Sequence, residues 1–163
     1  MDAGLMRTRP AKIPFTLETV GPDQALLSIA AQEPVRITVG DWSPWLSVRF
    51  KVGLGRQVAG ILKCLLLEMG TECRLFVTPI EIDPRDQCYP VAYPDAYCKQ
   101  FAEKLGPFHT LGMPEGSKGV TDYRYGLGQF LETCEEVTRE REFMFREELA
   151  SLPDEGILAT VFD

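Results

Sequence analysis

Asp83-Pro-Arg-Asp-Gln-Cys-Tyr-Pro-Val-Ala-Tyr-Pro94 divides this chain in two. Three prolines in twelve residues leave too few N–H groups for a ladder, so the stretch reads as an extended connection. Working back from it, apolar residues recur with the period of strands. Working forward, they recur with the period of helices.

Toward the N-terminus, short β-branched or aromatic runs are bounded by turn formers, the pattern of an antiparallel meander. They are 14–20, 25–30, 35–39, 45–52, 58–68 and 73–82. Gly21-Pro-Asp23, Glu33-Pro34, Gly40-Asp41 and Gly53-Leu-Gly55 supply the turns. Gly53-x-Gly55 also invites a phosphate-loop reading, but such a loop needs a helix N-terminus directly behind it. The residues from Val58 onward look like a strand, so a hairpin turn is predicted. The six strands should form one twisted sheet with one face wet.

Toward the C-terminus, Pro94 fits the first turn of a helix. Tyr97, Cys98, Phe101, Ala102 and Leu105 make its apolar stripe, and Gly106-Pro107 stops it. A long helix is predicted from about Tyr123 to Leu152, starting late if Gly126 and Gly128 weaken its first turns. Its stripe is Leu127, Phe130, Leu131, Cys134, Val137, Met144, Phe145 and Leu149. Glu135 with Arg139 and Glu142 with Arg146 are i,i+4 pairs in the favourable order. Gly156-Ile-Leu-Ala-Thr-Val-Phe-Asp163 then reads as a buried strand that carries an acid to its end. The fold class is α+β: a mostly antiparallel sheet of about six strands, then two main helices and a closing C-terminal strand. Residues 1–13 are expected to be a flexible lead, and 14–163 a single domain with its sheet in 14–82.

Net charge is −7, from 24 acidic and 17 basic residues, which repels phosphate backbones and anionic lipid. No nucleic-acid or membrane partner is expected; the apolar run Val58–Met69 is interrupted by Lys63 and Glu68 and is too short to span. Five cysteines at irregular spacing, without a C-x-x-C pair, read as reduced thiols. Cys64, Cys73 and Cys134 sit in apolar patterns and should be buried. A cytoplasmic location follows from that usage.

Features that could carry chemistry are few, and each has a plain structural reading beside it. Asp83 and Asp86 flank Pro84-Arg85: they could hold a divalent cation or act as acid and base with Arg85 toward a substrate, or simply form an Asp-Pro turn. Trp42, Trp45, Tyr89 and Tyr93 could build a platform for a flat or sugar-like ligand, or seal a sheet edge. His109, the one histidine, has no acidic or cysteine partner in sequence and reads as structural. These eight residues are the substrate-facing candidates. No residue is assigned a catalytic or metal-ligating role.

Their order in the chain is nevertheless informative. Gly40-Asp41-Trp-Ser-Pro-Trp45 precedes a Val-Arg-Phe strand. Leu75-Phe-Val-Thr-Pro-Ile80, Asp83-Pro84 and Tyr93-Pro-Asp-Ala-Tyr97 follow. Leu105-Gly-Pro-Phe-His-Thr-Leu-Gly112, the long helix with Glu140-Arg141, and Ile157–Asp163 complete the series. From about residue 15 to 163 this resembles the middle of the type I phosphodiesterase/nucleotide pyrophosphatase branch of the alkaline phosphatase superfamily.

That resemblance implies an internal segment covering the active site of a metal-dependent phosphohydrolase, together with one helix and one strand of its core. In the family a Ser or Thr nucleophile and the first metal ligands lie N-terminal to such a segment. Further Asp and His ligands follow shortly after the strand that Val161-Phe-Asp163 resembles, so Asp163 itself is not taken as a ligand. The resemblance thus implies two divalent metals, typically zinc, in the parent and none here. The partner would be the catalytic portion of the same polypeptide, and the Ile157–Phe162 flank would be left apolar and prone to self-association. The alternative is a freestanding small-molecule or protein binding module that uses the aromatic and Asp-Pro loop face.

Overall fold

The computed structural model describes residues 11–29, 32–52, 55–112, 114, 116–122 and 124–161. The expected N-terminal lead falls largely outside them, as do Phe162 and Asp163. The α+β class is as the periodicities predict: strands first, helices after.

Among the described residues there are eight strands: β1 (Phe15–Thr19), β2 (Gln24–Ile29), β3 (Val35–Thr38), β4 (Leu46–Lys51), β5 (Gln57–Leu62), β6 (Cys64–Glu68), β7 (Arg74–Val77) and β8 (Glu81–Ile82). They are divided among three small antiparallel sheets, β1-β2-β3, β4-β5-β8 and β6-β7, where one continuous sheet was expected. The first four match the predicted runs closely. The last two runs each split, and they split at the same level.

Lys63 interrupts the first run, and Thr78-Pro79-Ile80 the second. Pro79 has no N–H for a ladder. Instead the backbones of Lys63 and Thr78 clamp the break, with the Thr78 N–H donating to the Lys63 carbonyl at 3.0 Å and the Lys63 N–H donating to Thr78 Oγ1 at 2.9 Å. On one side Cys64 faces Val77; on the other, Ile61 faces Glu81. The four short strands are therefore one long hairpin, bent in the middle.

The bend lets the hairpin bury both faces, against the expectation of one wet face. Leu62, Cys64 and Leu66 face a core with Ala25, Leu27 and Ile29 of β2, Ile37 of β3, and Leu46 and Val48 of β4. Ile61 and Leu65 are fully buried outside that cluster, so the opposite face of the hairpin is covered as well. Gly60 is needed where β8 crosses, because a Cβ there would lie 2.6 Å from Ile80 Cγ2. The β4–β5 connection is a hairpin, with Lys51 opposite Gln57 and the Val52 N–H on the Arg56 carbonyl at 2.9 Å. Its residues 53 and 54 lie outside the described ones.

Three helices follow: α1 (Ala96–Leu105), α2 (Ser117–Thr121) and α3 (Leu127–Ser151). Pro94 stands ahead of α1, whose N-cap is Asp95, so it does not occupy the first turn as predicted. Helix α3 starts at Leu127 with Gly126 as its cap. A second, smaller core joins Cys98, Phe101, Ala102 and Phe108 to Phe143 and Met144 of α3. Residues 157–161 belong to no strand or helix, and Ile157 and Val161 are 94% and 81% exposed. The predicted closing strand has no described strand beside it, and without one its N–H and C=O groups have no ladder to enter.

The cysteines divide differently from expectation. Cys64 and Cys98 are buried, Cys134 is half-buried, and Cys73 and Cys88 are exposed; all five are free thiols. Cys73 lies in the turn that precedes β7, so its apolar neighbours in sequence do not cover it. No helix among the described residues is long and apolar enough to cross a membrane.

Candidate functional site

The bend in the hairpin creates the cleft that gathers most of the chemistry. Because Lys63 leaves the ladder there, its side chain enters a space between the hairpin, α3 and residues 109–112, 114 and 116. Lys63 keeps only 10% of its side chain exposed and forms an ion pair with Glu136 of α3, which is 30% exposed. Its ammonium also lies 4.8 Å from the centroid of the Trp45 ring, a cation–π contact.

Trp45 also packs against His109, edge-on at 4.7 Å and 68°. Glu140 holds this histidine twice. Its Oε2 accepts the His109 backbone N–H at 3.0 Å and lies 2.9 Å from Nδ1. Both side chains are at least nine-tenths buried. The acidic partner that the local sequence did not reveal is therefore supplied from 31 residues away.

Trp42, Phe76 and Tyr125 form the far wall. Their rings are mutually edge-on, with centroids 6.0, 5.6 and 5.0 Å apart and interplanar angles of 79°, 77° and 70°. Trp42 Nε1–H donates to the Gln129 carbonyl at 3.2 Å, and Gln129 Nε2 donates back to the Gly40 carbonyl at 3.3 Å, tying the start of α3 to the Gly40-Asp41 turn. Tyr125 donates its hydroxyl to the Gly116 carbonyl at 2.7 Å. Its ring lies flat against Gly119, where an added Cβ would stand 2.0 Å from Cε1. A glycine there is a steric requirement of the wall.

Glu81, on β8, closes the floor. Only 7% exposed, it accepts through Oε2 from the backbone N–H groups of Thr110 at 2.6 Å and Leu111 at 3.3 Å. Thr110 Oγ1 in turn donates to the Ile82 carbonyl at 2.9 Å. Glu81 Oε1 takes no hydrogen bond from any described residue, and the side chain lines the cleft. The cavity measures about 130 Å³, close to the ~150 Å³ that holds a single benzene ring.

Of the eight candidates, Trp42, Trp45 and His109 converge here. The other five lie elsewhere. Asp83, 4% exposed, takes Arg85 as a two-pronged partner, Nε to Oδ1 and a terminal nitrogen to Oδ2, each at 2.8 Å. Burial pushes the Asp83 carboxyl upward, but the hydrogen bonds and charge of Arg85, with Arg49 behind, outweigh it and hold the group below the usual range. Arg85 is raised in return, chiefly by its hydrogen bond to Asp83. Arg85 also donates to Ser47 Oγ at 2.7 Å, and Asp86 pairs with Arg49 at 2.7 Å. Each carboxylate of the Asp-Pro turn thus has its own arginine, and the cluster anchors the turn to β4. Tyr89 and Tyr93 project from the connection at 69% and 96% exposure.

Sequence reading missed Lys63, Phe76, Glu81, Tyr125 and Glu136. A lysine inside the apolar run Val58–Met69 was the one available signal, since a lysine is almost never fully buried without a partner.

Comparison with protein-family models, with curated proteins and with solved structures finds no match for this chain. Among the described residues no three His, Cys, Asp or Glu side chains gather in a way that could hold a metal ion.

Proposed function

We propose that this chain is a non-catalytic, active-site-covering region of a metal-dependent phosphohydrolase or phosphodiesterase of the alkaline phosphatase superfamily. One observation supports it beyond the motif order: the long helix is only half packed. Of its 25 residues only Thr133, Val137 and Glu140 are buried, while Leu127, Leu131 and Leu149 stay 62%, 52% and 52% exposed. After the helix, Ile157 and Val161 are also exposed, at 94% and 81%. An amphipathic helix followed by an unpaired apolar stretch suits the outer half of a βαβ unit whose neighbouring strand comes from another part of the protein.

On this reading the partner is the catalytic portion of the same polypeptide. On the same reading that portion also supplies the nucleophile and the ligands of two divalent metals. We place the whole in the cytoplasm, where free thiols persist. The aromatic cleft favours a second reading, a freestanding small-molecule binding module.

The test compares the 163-residue chain with the polypeptide encoded by its full reading frame, in zinc-containing buffer with nitrophenyl phosphate mono- and diesters. Turnover by the long form alone, with the short chain self-associating until Leu131→Glu makes it monomeric, is the expected result. Robust turnover by the short chain, or a reading frame lacking the Asp and His ligands, would overturn the proposal.

A further inference from the structure

The cleft behind Trp42 and Trp45 has the composition of a receptor for a positive charge with an apolar skin. Three rings at near right angles, Trp42, Phe76 and Tyr125, form adjoining walls of a box. Aromatic faces carry negative potential, and boxes of this kind hold methylated ammonium groups. The fourth aromatic wall, Trp45, already carries a cation, the ammonium of Lys63.

The charge balance points the same way. Lys63 is neutralised by Glu136. Glu81, nine-tenths buried and lining the cleft, then has no cationic partner among the described residues. Its Oε2 draws partial compensation from two backbone N–H groups. Glu140, 2.9 Å from Nδ1 of the cleft-lining His109, adds a further carboxylate nearby. An incoming anion would have to compete with Glu136 for Lys63 beside an unbalanced carboxylate. A cation offsets the Glu81 charge, and the cavity of about 130 Å³ admits one compact head group.

We infer that this cleft binds the methylated ammonium head of a small organic cation, held by the Trp42–Phe76–Tyr125 box and by Glu81. This inference stands apart from the hydrolase reading and would survive its failure.

Both tryptophans of the chain line the cleft, so all tryptophan emission reports on it. The full chain is titrated at constant ionic strength with choline, with its neutral isostere 3,3-dimethylbutan-1-ol, and with benzoate. Saturable fluorescence change with choline is expected, with the neutral isostere weaker by about ten-fold or more and benzoate inert. Glu81→Gln, whose amide oxygen can still accept from Thr110 and Leu111, should weaken choline by a similar factor. Phe76→Leu, which opens one wall without touching the floor, should do so too. No saturation by choline into the tens of millimolar would overturn the inference. So would equal binding of the isostere, preferential binding of benzoate, or undiminished choline binding in both variants.

Discussion

Substituting Glu136 with glutamine strands the Lys63 ammonium at a site where it keeps 10% exposure. Breaking a fully buried ion pair by removing one partner costs about 3–5 kcal/mol, because the remaining charge has lost its water. Glu136 is 30% exposed, so solvent already screens this pair and the cost should fall toward about 2 kcal/mol. The Trp45 face 4.8 Å from the ammonium retains part of the stabilisation in the variant. With a urea slope of about 2 kcal/mol/M, the midpoint should drop by about 1 M. The informative member of the series is the double variant Lys63→Met/Glu136→Leu. It removes both desolvation costs while keeping the apolar stem against Trp45, so it should recover most of the loss and could exceed wild type. Equilibrium urea unfolding of wild type, Lys63→Met, Glu136→Leu and the double variant gives the coupling energy directly. A Glu136→Gln midpoint unchanged within error, or a double variant as weak as the two single losses combined, would refute the argument that this is a paired, desolvated charge.

Gly119→Ala places a methyl within 2.0 Å of the Tyr125 ring, so it should destabilise by about 1–3 kcal/mol and flatten the near-UV aromatic signal. Asp83 has a depressed carboxyl, so its contribution is fully present above its ordinary value of 3.8 and is lost as pH falls through the lower folded value. The gap in melting temperature between wild type and Asp83→Asn should therefore be constant near neutrality and close progressively below pH 3.8. Burial pushes the Cys64 thiol up to about 11; at pH 8 an aromatic disulfide reagent should label the exposed Cys73 and Cys88 quickly and reach Cys64 and Cys98 only in denaturant.

Local pattern predicted the first four strands and the long helix well, because period and turn chemistry act over a few residues. It failed where structure is decided across the chain. The bend at Lys63 depends on Thr78, fifteen residues later, and although Lys63 and Pro79 each mark a weak point in their own run, neither run shows that the two weak points meet. The exposure of Cys73 likewise depends on where its turn lies relative to the sheets. Among candidate residues, Trp42 and Trp45 were visible as aromatics beside a turn, but their cleft partners come from β7, β8, α3 and the loop before it. Tyr89 and Tyr93 are aromatic too, but they stay 69% and 96% exposed. Residue type could nominate these positions; only long-range packing could separate them.

The bend itself is the step that joins fold to chemistry. A straight hairpin would put residue 63 in register opposite Thr78, where a lysine must point either into the β2–β4 core or beneath α3. Either position costs more than a strand's ladder returns unless the charge is paired. By breaking both strands at one level, the chain gives up ladder bonds at Lys63 and Pro79, replaces them with the Lys63–Thr78 clamp, and turns the ammonium toward Glu136 and Trp45. The break also releases β8, and with it Glu81, to meet the loop at Thr110. Lys63 and Glu81 are thus both consequences of one kink, and relieving it should disturb both. Thr78→Val removes the Oγ1 acceptor and leaves the Lys63 N–H unpaired, which should cost about 1–3 kcal/mol. It should also loosen the 109–112 loop, read as faster amide exchange at Thr110 and Leu111. Unchanged exchange there would mean that the kink and the floor of the cleft are independent.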